Sequence, residues 1–255
     1  MDMTRRLALA AGSFGLAAIL ALPTPAFGQS QGDGFLFHQP KGTFTLRSGV
    51  AMPNATGDPF GFFSNELTLT KSSYRALDLA GDLAFTVTPR VDLVLSAGWA
   101  GSQTPSEMRH WTDQNDQAIR QTTTLQRVPL TASLKYYLRP RGRSVGRFVW
   151  VPSPGVAPYV GVGGGLMYSR IHQWGNFVDL RDTTIFNDNY ASESWTGTVH
   201  AFAGVDVPLG PRFVMSAEAR YAYAKTALGP DFSGFGNMDL SGFSVTVGIG
   251  VRLAP

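Results

Sequence analysis

Eight segments of this chain alternate apolar and polar residues at period two, and in several of them the polar partner carries a full charge. Asp78 and Asp82 interleave with Leu77, Leu79, Leu83 and Phe85, while Glu218 and Arg220 interleave with Met215, Ala217, Ala219 and Tyr221. Successive side chains of a strand point to opposite faces, so such a segment needs water or counter-charges on one side and an apolar medium on the other. The pattern predicts an all-β fold, an eight-stranded antiparallel up-and-down transmembrane β-barrel with a polar lumen.

The first residues set the compartment. Arg5 and Arg6 precede an apolar stretch from Leu7 to Leu22 that ends at Pro23, Pro25 and the small-residue site Ala26-Phe27-Gly28. This reads as a secretory signal peptide over 1–28, cleaved after Gly28, with 29–42 a periplasmic segment and 43–255 the barrel. A permanent helical anchor needs ~20 apolar residues, more than this run supplies before its helix breakers. The Thr4-Arg5-Arg6 start is faintly like a twin-arginine signal, but no cofactor motif follows that would require folded export, which favours the general secretory route. The formal charge of +3 becomes +2 once Asp2, Arg5 and Arg6 are removed, too small an excess to imply nucleic-acid binding. Cysteine is absent, which excludes disulfides, thiolate catalysis and lipidation at an N-terminal cysteine.

The alternation marks strands at 43–50, 76–87, 91–100, 123–138, 157–170, 195–207, 213–225 and 238–253, with long polar connections at 51–75, 101–122, 171–192 and 227–237. Two of the intervening links, Thr88-Pro89-Arg90 and 208–212, are short proline turns, so long and short connections segregate to opposite ends. About 10 residues at roughly 3.3 Å rise and 40° tilt span the ~25 Å apolar band of such barrels. Trp99, Tyr168, Trp195, Tyr221 and Tyr223 fall toward the long-loop end of the outward runs and Phe85, Tyr136 and Phe213 toward the other, as two aromatic girdles. A soluble lipocalin-like barrel would invert the faces. In the fifth segment Gly161, Gly163 and Gly165 occupy the inward face, which predicts a bend or room for bulky side chains from across the lumen. No lysine-serine pair follows them to make a phosphate loop. The link 139–156 is longer than the other short turns and carries Arg139, Arg141, Arg143 and Arg147; it reads either as a contact for anionic cell-wall polymer or a partner protein, or as a solvated turn with a small apolar tuck.

This parity sends Arg47, Asp78, Asp82, Asp92, Arg127, Lys135, His200, Asp206, Glu218, Arg220 and Arg252 into the lumen, where five acids meet five fixed bases. Eight strands enclose little more than their own side chains, so these groups are expected to pair and to leave a plugged or very narrow channel. A hydrolase would need a serine with a histidine base, and no such pair stands out around His200. Asp179, Asp182, Asp188 and Glu193 in the third long loop could attract divalent cations at a lipopolysaccharide surface, or be an ordinary hydrated loop.

Three stretches together resemble a known group: Gly81-Asp82-Leu83-Ala84-Phe85 leading to Thr88-Pro89-Arg90, then Ala132-Ser133-Leu134-Lys135-Tyr136-Tyr137-Leu138, then Ala157-Pro158-Tyr159-Val160-Gly161-Val162-Gly163-Gly164-Gly165. They resemble the small outer-membrane β-barrel superfamily that includes the OmpW-like and OmpX/OmpA-barrel proteins, over essentially the whole mature chain. Thr246, Gly248, Val251 and Leu253 are similar to the C-terminal signal of that superfamily, which the barrel assembly machinery reads, although here Ala254-Pro255 follows Leu253 in place of a terminal aromatic. The resemblance implies the outer membrane of a Gram-negative-type bacterium, with its lipid and lipopolysaccharide as surroundings, and no cofactor. Members serve as structural anchors, adhesins, conduits for small apolar molecules or, occasionally, lipid-modifying enzymes. The expectation is a non-enzymatic barrel that maintains the envelope or presents its loops, with a narrow hydrophobic conduit second and a lipid-A hydrolase third.

Overall fold

Eight antiparallel strands pair into a closed ring: β1 Gly42–Pro53, β2 Ala76–Thr88, β3 Val91–Thr112, β4 Ala118–Tyr137, β5 Ala157–Val178, β6 Ile185–Pro208, β7 Phe213–Thr226 and β8 Gly242–Leu253. Each pairs with the next in sequence, and β8 closes on β1 from Leu253 opposite Gly42 to Gly242 opposite Pro53. This is a computed structural model that describes residues 34–179 and 182–253. The expected signal peptide and its cleavage point lie outside the described residues, as does the Ala254-Pro255 tail.

The ring leaves no free edge, and its faces are those of a membrane protein. Leu46, Val162 and Ile249 are 60–61 % exposed, whereas Arg47, Glu218 and Thr246 are 2–6 % exposed. An apolar exterior with the charges inside suits a bilayer and not water, and the closed ring pairs its strand backbones with one another as a bilayer demands. Outward aromatics mark both rims: the Tyr168 and Trp195 rings lie 5.4 Å apart and those of Tyr221 and Phe243 4.8 Å apart near one end, while Phe44, Phe85, Tyr136 and Phe213 are exposed toward the other.

The strands run farther than their alternation does. The expected loop 101–122 is largely strand, with only 113–117 between β3 and β4, and the expected loop 171–192 shortens to the segment between Val178 and Ile185. Past the aromatic rim water meets both faces, so the apolar-polar contrast vanishes while β-branched residues such as Thr122, Thr123 and Thr124 still favour strand. Asp113 then reverses the chain, its Oδ1 accepting the Asn115 and Gln117 amides at 2.8 Å. Conversely, β8 starts at Gly242, later than the expected 238, with Met238–Asp239 a separate short strand.

The two remaining long connections fold inward. Between β1 and β2, helix α1 (Asp58–Glu66) begins after Gly57, whose φ of 103° and close approach to the Asn237 carbonyl favour glycine. Phe60 and Phe63 of α1, Leu67, Leu69 and Tyr74 pack with Phe232, Met238 and Leu240 and with the inner wall at Leu125, Met167, Ile171 and Ala224. These side chains form an apolar plug at the long-loop end of the lumen. At the short-turn end, Leu36–Phe37 pairs with Val149–Pro152, which pairs with Gly142–Val145 as a small antiparallel sheet. Trp150 of that sheet is buried, with the Arg252 guanidinium 5.3 Å from its ring, so link 139–156 is a β-hairpin drawn up to the barrel mouth.

Candidate functional site

Between the apolar plug and the hairpin the inward side chains of eight strands meet in layers, fixed by strand register. In the middle layer Arg47 stands between two acids. Its Nη1 donates to Glu218 Oε1 at 2.8 Å and to Thr246 Oγ1 at 3.1 Å, and its Nη2 donates to Asp82 Oδ1 at 3.0 Å. Arg47 Nε lies 2.6 Å from Asp82 Oδ2, an ion pair whose N–H is not aimed well enough to count as a hydrogen bond. Arg220 donates from Nε and Nη2 to the same Glu218 oxygen, at 3.1 and 2.9 Å, and the Tyr159 hydroxyl donates to Glu218 Oε2 at 3.1 Å. Two arginines thus face two carboxylates, the arrangement under which buried charges are tolerated.

Nearer the hairpin, Lys135 Nζ and the Tyr137 hydroxyl both donate to Asp206 Oδ2, at 3.1 and 2.7 Å, and Lys135 also lies 3.6 Å from the centre of the Tyr159 ring. Asp92 finds its partner outside the eleven expected lumen groups. Arg141, from the basic link, donates from Nη1 and Nη2 to its two oxygens at 2.7 Å each, a planar fork on a carboxylate. Arg139, Arg143 and Arg147 remain exposed. Arg252 donates to the Gly210 and Pro211 carbonyls at 3.0 and 2.9 Å.

The layer next to the apolar plug is less complete. Among the described residues Arg127 makes one hydrogen bond, from Nη1 to the Leu240 carbonyl at 3.2 Å. Asp78 is in no ion pair among the described residues, and both border a cavity of about 70 Å³ together with Thr131, Thr198, His200 and Arg220. One wall of this cavity is a fault in the barrel. The β3–β4 ladder runs to Ala97 opposite Leu130 and resumes at Ala100 opposite Arg127, skipping Gly98, Trp99, Val128 and Pro129. Proline has no N–H to give to a ladder. A side chain at Gly98 would sit 3.2 Å from Pro129 Cγ, and both residues line the cavity.

The glycines of β5 do make room. A Cβ on Gly161 would fall 2.2 Å from Phe202 Cζ, and one on Gly163 2.4 Å from Ser133 Oγ. Ser133 in turn is 2.8 Å from His200 Nε2, a serine-histidine pair that strand-by-strand reading missed because the two residues sit on β4 and β6, with β5 between them. Ser133 is 3 % exposed and does not border the cavity. His200 has no carboxylate on its other nitrogen among the described residues, the place that the orienting third group takes in a hydrolase triad. Among the described residues no cluster of three or more His, Asp or Glu forms a metal site. Of the third-loop acids, Glu193 pairs with Arg170 at 3.3 Å and Asp182 accepts from Thr184.

Thr246, Gly248, Val251 and Leu253 lie on β8, the strand that closes the ring. Thr246 points inward to Arg47, while Val251 and Leu253 face outward.

No family model matches this chain, and no curated protein does. Its structure is similar to solved outer-membrane β-barrels. OprG from Pseudomonas aeruginosa is 14 % identical, with 86 % of this chain and all of that one covered and a TM-score of 0.47. Neisserial surface protein A is 11 % identical, covering 83 % and 96 % with a TM-score of 0.44, and the outer membrane protease OmpT from Escherichia coli is 8 % identical, covering 89 % and 100 % with a TM-score of 0.42. The fold assignment rests on the chain's own features, the closed ring of eight strands and the apolar exterior.

Proposed function

We propose that this chain is a non-enzymatic outer-membrane barrel of a Gram-negative-type envelope, reaching it by the general secretory route after loss of 1–28 and assembling through the signal at Thr246, Gly248, Val251 and Leu253. Its role is to maintain the envelope or to present its loops outside the cell. The observation that carries this reading is the double closure of the lumen, apolar at one end through Phe60, Phe63 and Leu240 and polar at the other through Arg141, Asp92 and Trp150. A barrel so filled serves as a scaffold and not as an open pore. Purified protein in planar bilayers should give no steady conductance; a stable open channel would overturn the assignment. Exposed Arg139, Arg143 and Arg147 suit an anionic cell-wall polymer below the barrel, and sedimentation with isolated peptidoglycan, lost on triple substitution by glutamine, tests that contact.

The ladder fault at Gly98 and Pro129 favours a second reading, a side conduit for small hydrophobic molecules that leave the cavity toward lipid without crossing the lower lumen. Uptake of an apolar solute by vesicles carrying the wild type, slowed by Pro129→Val, which restores an N–H to the ladder, separates it from the first. Unchanged lipid A on deletion of the gene disposes of the hydrolase alternative.

A further inference from the structure

The lumen arginines are not equivalent. Arg47 and Arg220 are held by Asp82 and Glu218, and Arg252 by two carbonyls and the Trp150 ring. Arg127 is 92 % buried by its 8 % exposure, touches no carboxylate among the described residues and gives a single hydrogen bond, to Leu240. A guanidinium has five donors in a rigid planar fork, and a buried one needs acceptors. Thr131, which lines the same cavity and is equally buried, has a hydroxyl without a partner among the described residues. Beside these polar groups the lining includes small or apolar residues, with Ala100 opposite Arg127 in the ladder, Pro129 between Arg127 and Thr131 on their strand, Met167 opposite Pro129, and Ala80 and Ala222 farther round.

We infer that this cavity is a binding site for a small monocarboxylate with a short apolar tail, its carboxylate on Arg127 and Thr131 and its tail against Ala80, Ala100 and Met167. The size follows from the volume: about 70 Å³ is near half of the ~150 Å³ cavity that takes benzene, which limits the ligand to about three to five non-hydrogen atoms. The charge follows from Asp78, which lies across Ala100 from Arg127 in one cross-strand row, borders the same space and already offsets part of the guanidinium charge, so that the site takes one negative charge on the ligand and disfavours a second. Arg220 and His200 on the wall are already engaged, by Glu218 and Ser133. Binding here goes beyond the conduit reading, since a bound ligand need not pass through.

The test is an equilibrium titration of the refolded barrel in maltoside micelles with acetate and propanoate, following the Arg127 Nε–H signal by NMR. A saturable shift is expected, with acetamide and succinate giving none. Arg127→Lys should weaken binding about tenfold or more, the size of a lost charge-assisted hydrogen bond. Ala80→Leu leaves Arg127 in place and fills the cavity, so it should keep the Arg127 signal and the heat-shifted gel band of a closed barrel while abolishing the shift. Should Arg127→Lys or Ala80→Leu fail to fold, Thr131→Val removes one ligand contact and is expected to weaken propanoate severalfold. Absence of a saturable shift in the wild type, an equal shift with acetamide, or undiminished binding in folded Ala80→Leu overturns the site whether or not the barrel conducts apolar solutes.

Discussion

Arg141 places its two terminal guanidinium nitrogens 2.7 Å from the two carboxylate oxygens of Asp92, joining the basic link beneath the barrel to the lumen wall. The Asp92 side chain is 1 % exposed and the Arg141 side chain 15 %. Removing one partner of such a pair strands the other, a loss of about 3 to 5 kcal/mol. Arg141→Ala should therefore lower the temperature at which the barrel unfolds on gels, and Arg141→Leu combined with Asp92→Asn should recover a large part of the loss. An additive double variant would show that the two act separately.

Arg47 and Arg220 both serve Glu218, but only Arg47 also holds Asp82. Arg47→Met leaves Asp82 without an ion pair, at about 3 to 5 kcal/mol, whereas after Arg220→Met Glu218 keeps Arg47 and Tyr159 and the loss should be about 1 to 2 kcal/mol. Urea unfolding in lipid vesicles measures both. Asp82→Asn in the Arg47→Met background should recover part of the loss, because it removes the carboxylate that Arg47→Met leaves buried without its partner.

Gly161 and Gly163 are required by contact. A Cβ at Gly163 would meet the Ala132 carbonyl at 2.5 Å as well as Ser133, and one at Gly161 the Leu134 carbonyl at 2.7 Å as well as Phe202. Backbone cannot swing aside as a side chain can, so either alanine variant should destabilise by about 1 to 3 kcal/mol. Phe202→Leu should relieve only part of the Gly161→Ala defect. Fraction folded after dilution into detergent is the readout, and full rescue would mean that the carbonyl contact is harmless.

Asp239 ties the plug together from outside the membrane. Burial pushes its carboxyl up, but hydrogen bonds from Ser241 and Thr56 outweigh this and hold it below the ordinary carboxylate range. A folded-state value below the unfolded one, about 3.9, adds stability above that pH which is lost as pH falls through the folded value. The plug should accordingly loosen below about pH 4. Pepsin cleavage within 56–66, normalised to an unfolded substrate, should rise as pH drops in the wild type and be high and flat in Asp239→Asn. Equal pH dependence in both would assign the change to other groups.

The sequence by itself determined the ring. Where lipid meets one face and the lumen the other, each strand must alternate, and Asp82 beside Leu83 or Glu218 beside Ala217 leaves no other parity. Above the aromatic rim the same chain between Gly101 and Thr112 is still strand but carries no contrast, because water lies on both sides, and its length was illegible for that reason. Which charges pair was decided by tertiary structure alone. Register across non-neighbouring strands brings Arg47 to Glu218 and Ser133 to His200, and a link outside the barrel carries Arg141 to Asp92. The apolar plug was hidden likewise: Phe60, Phe63 and Phe232 follow no period of two, and only the folding of two loops over the lumen gives them a common interior. Alternation is a local property set by the medium on either side of a strand, whereas pairing in the lumen depends on distances that exist only once the ring has closed.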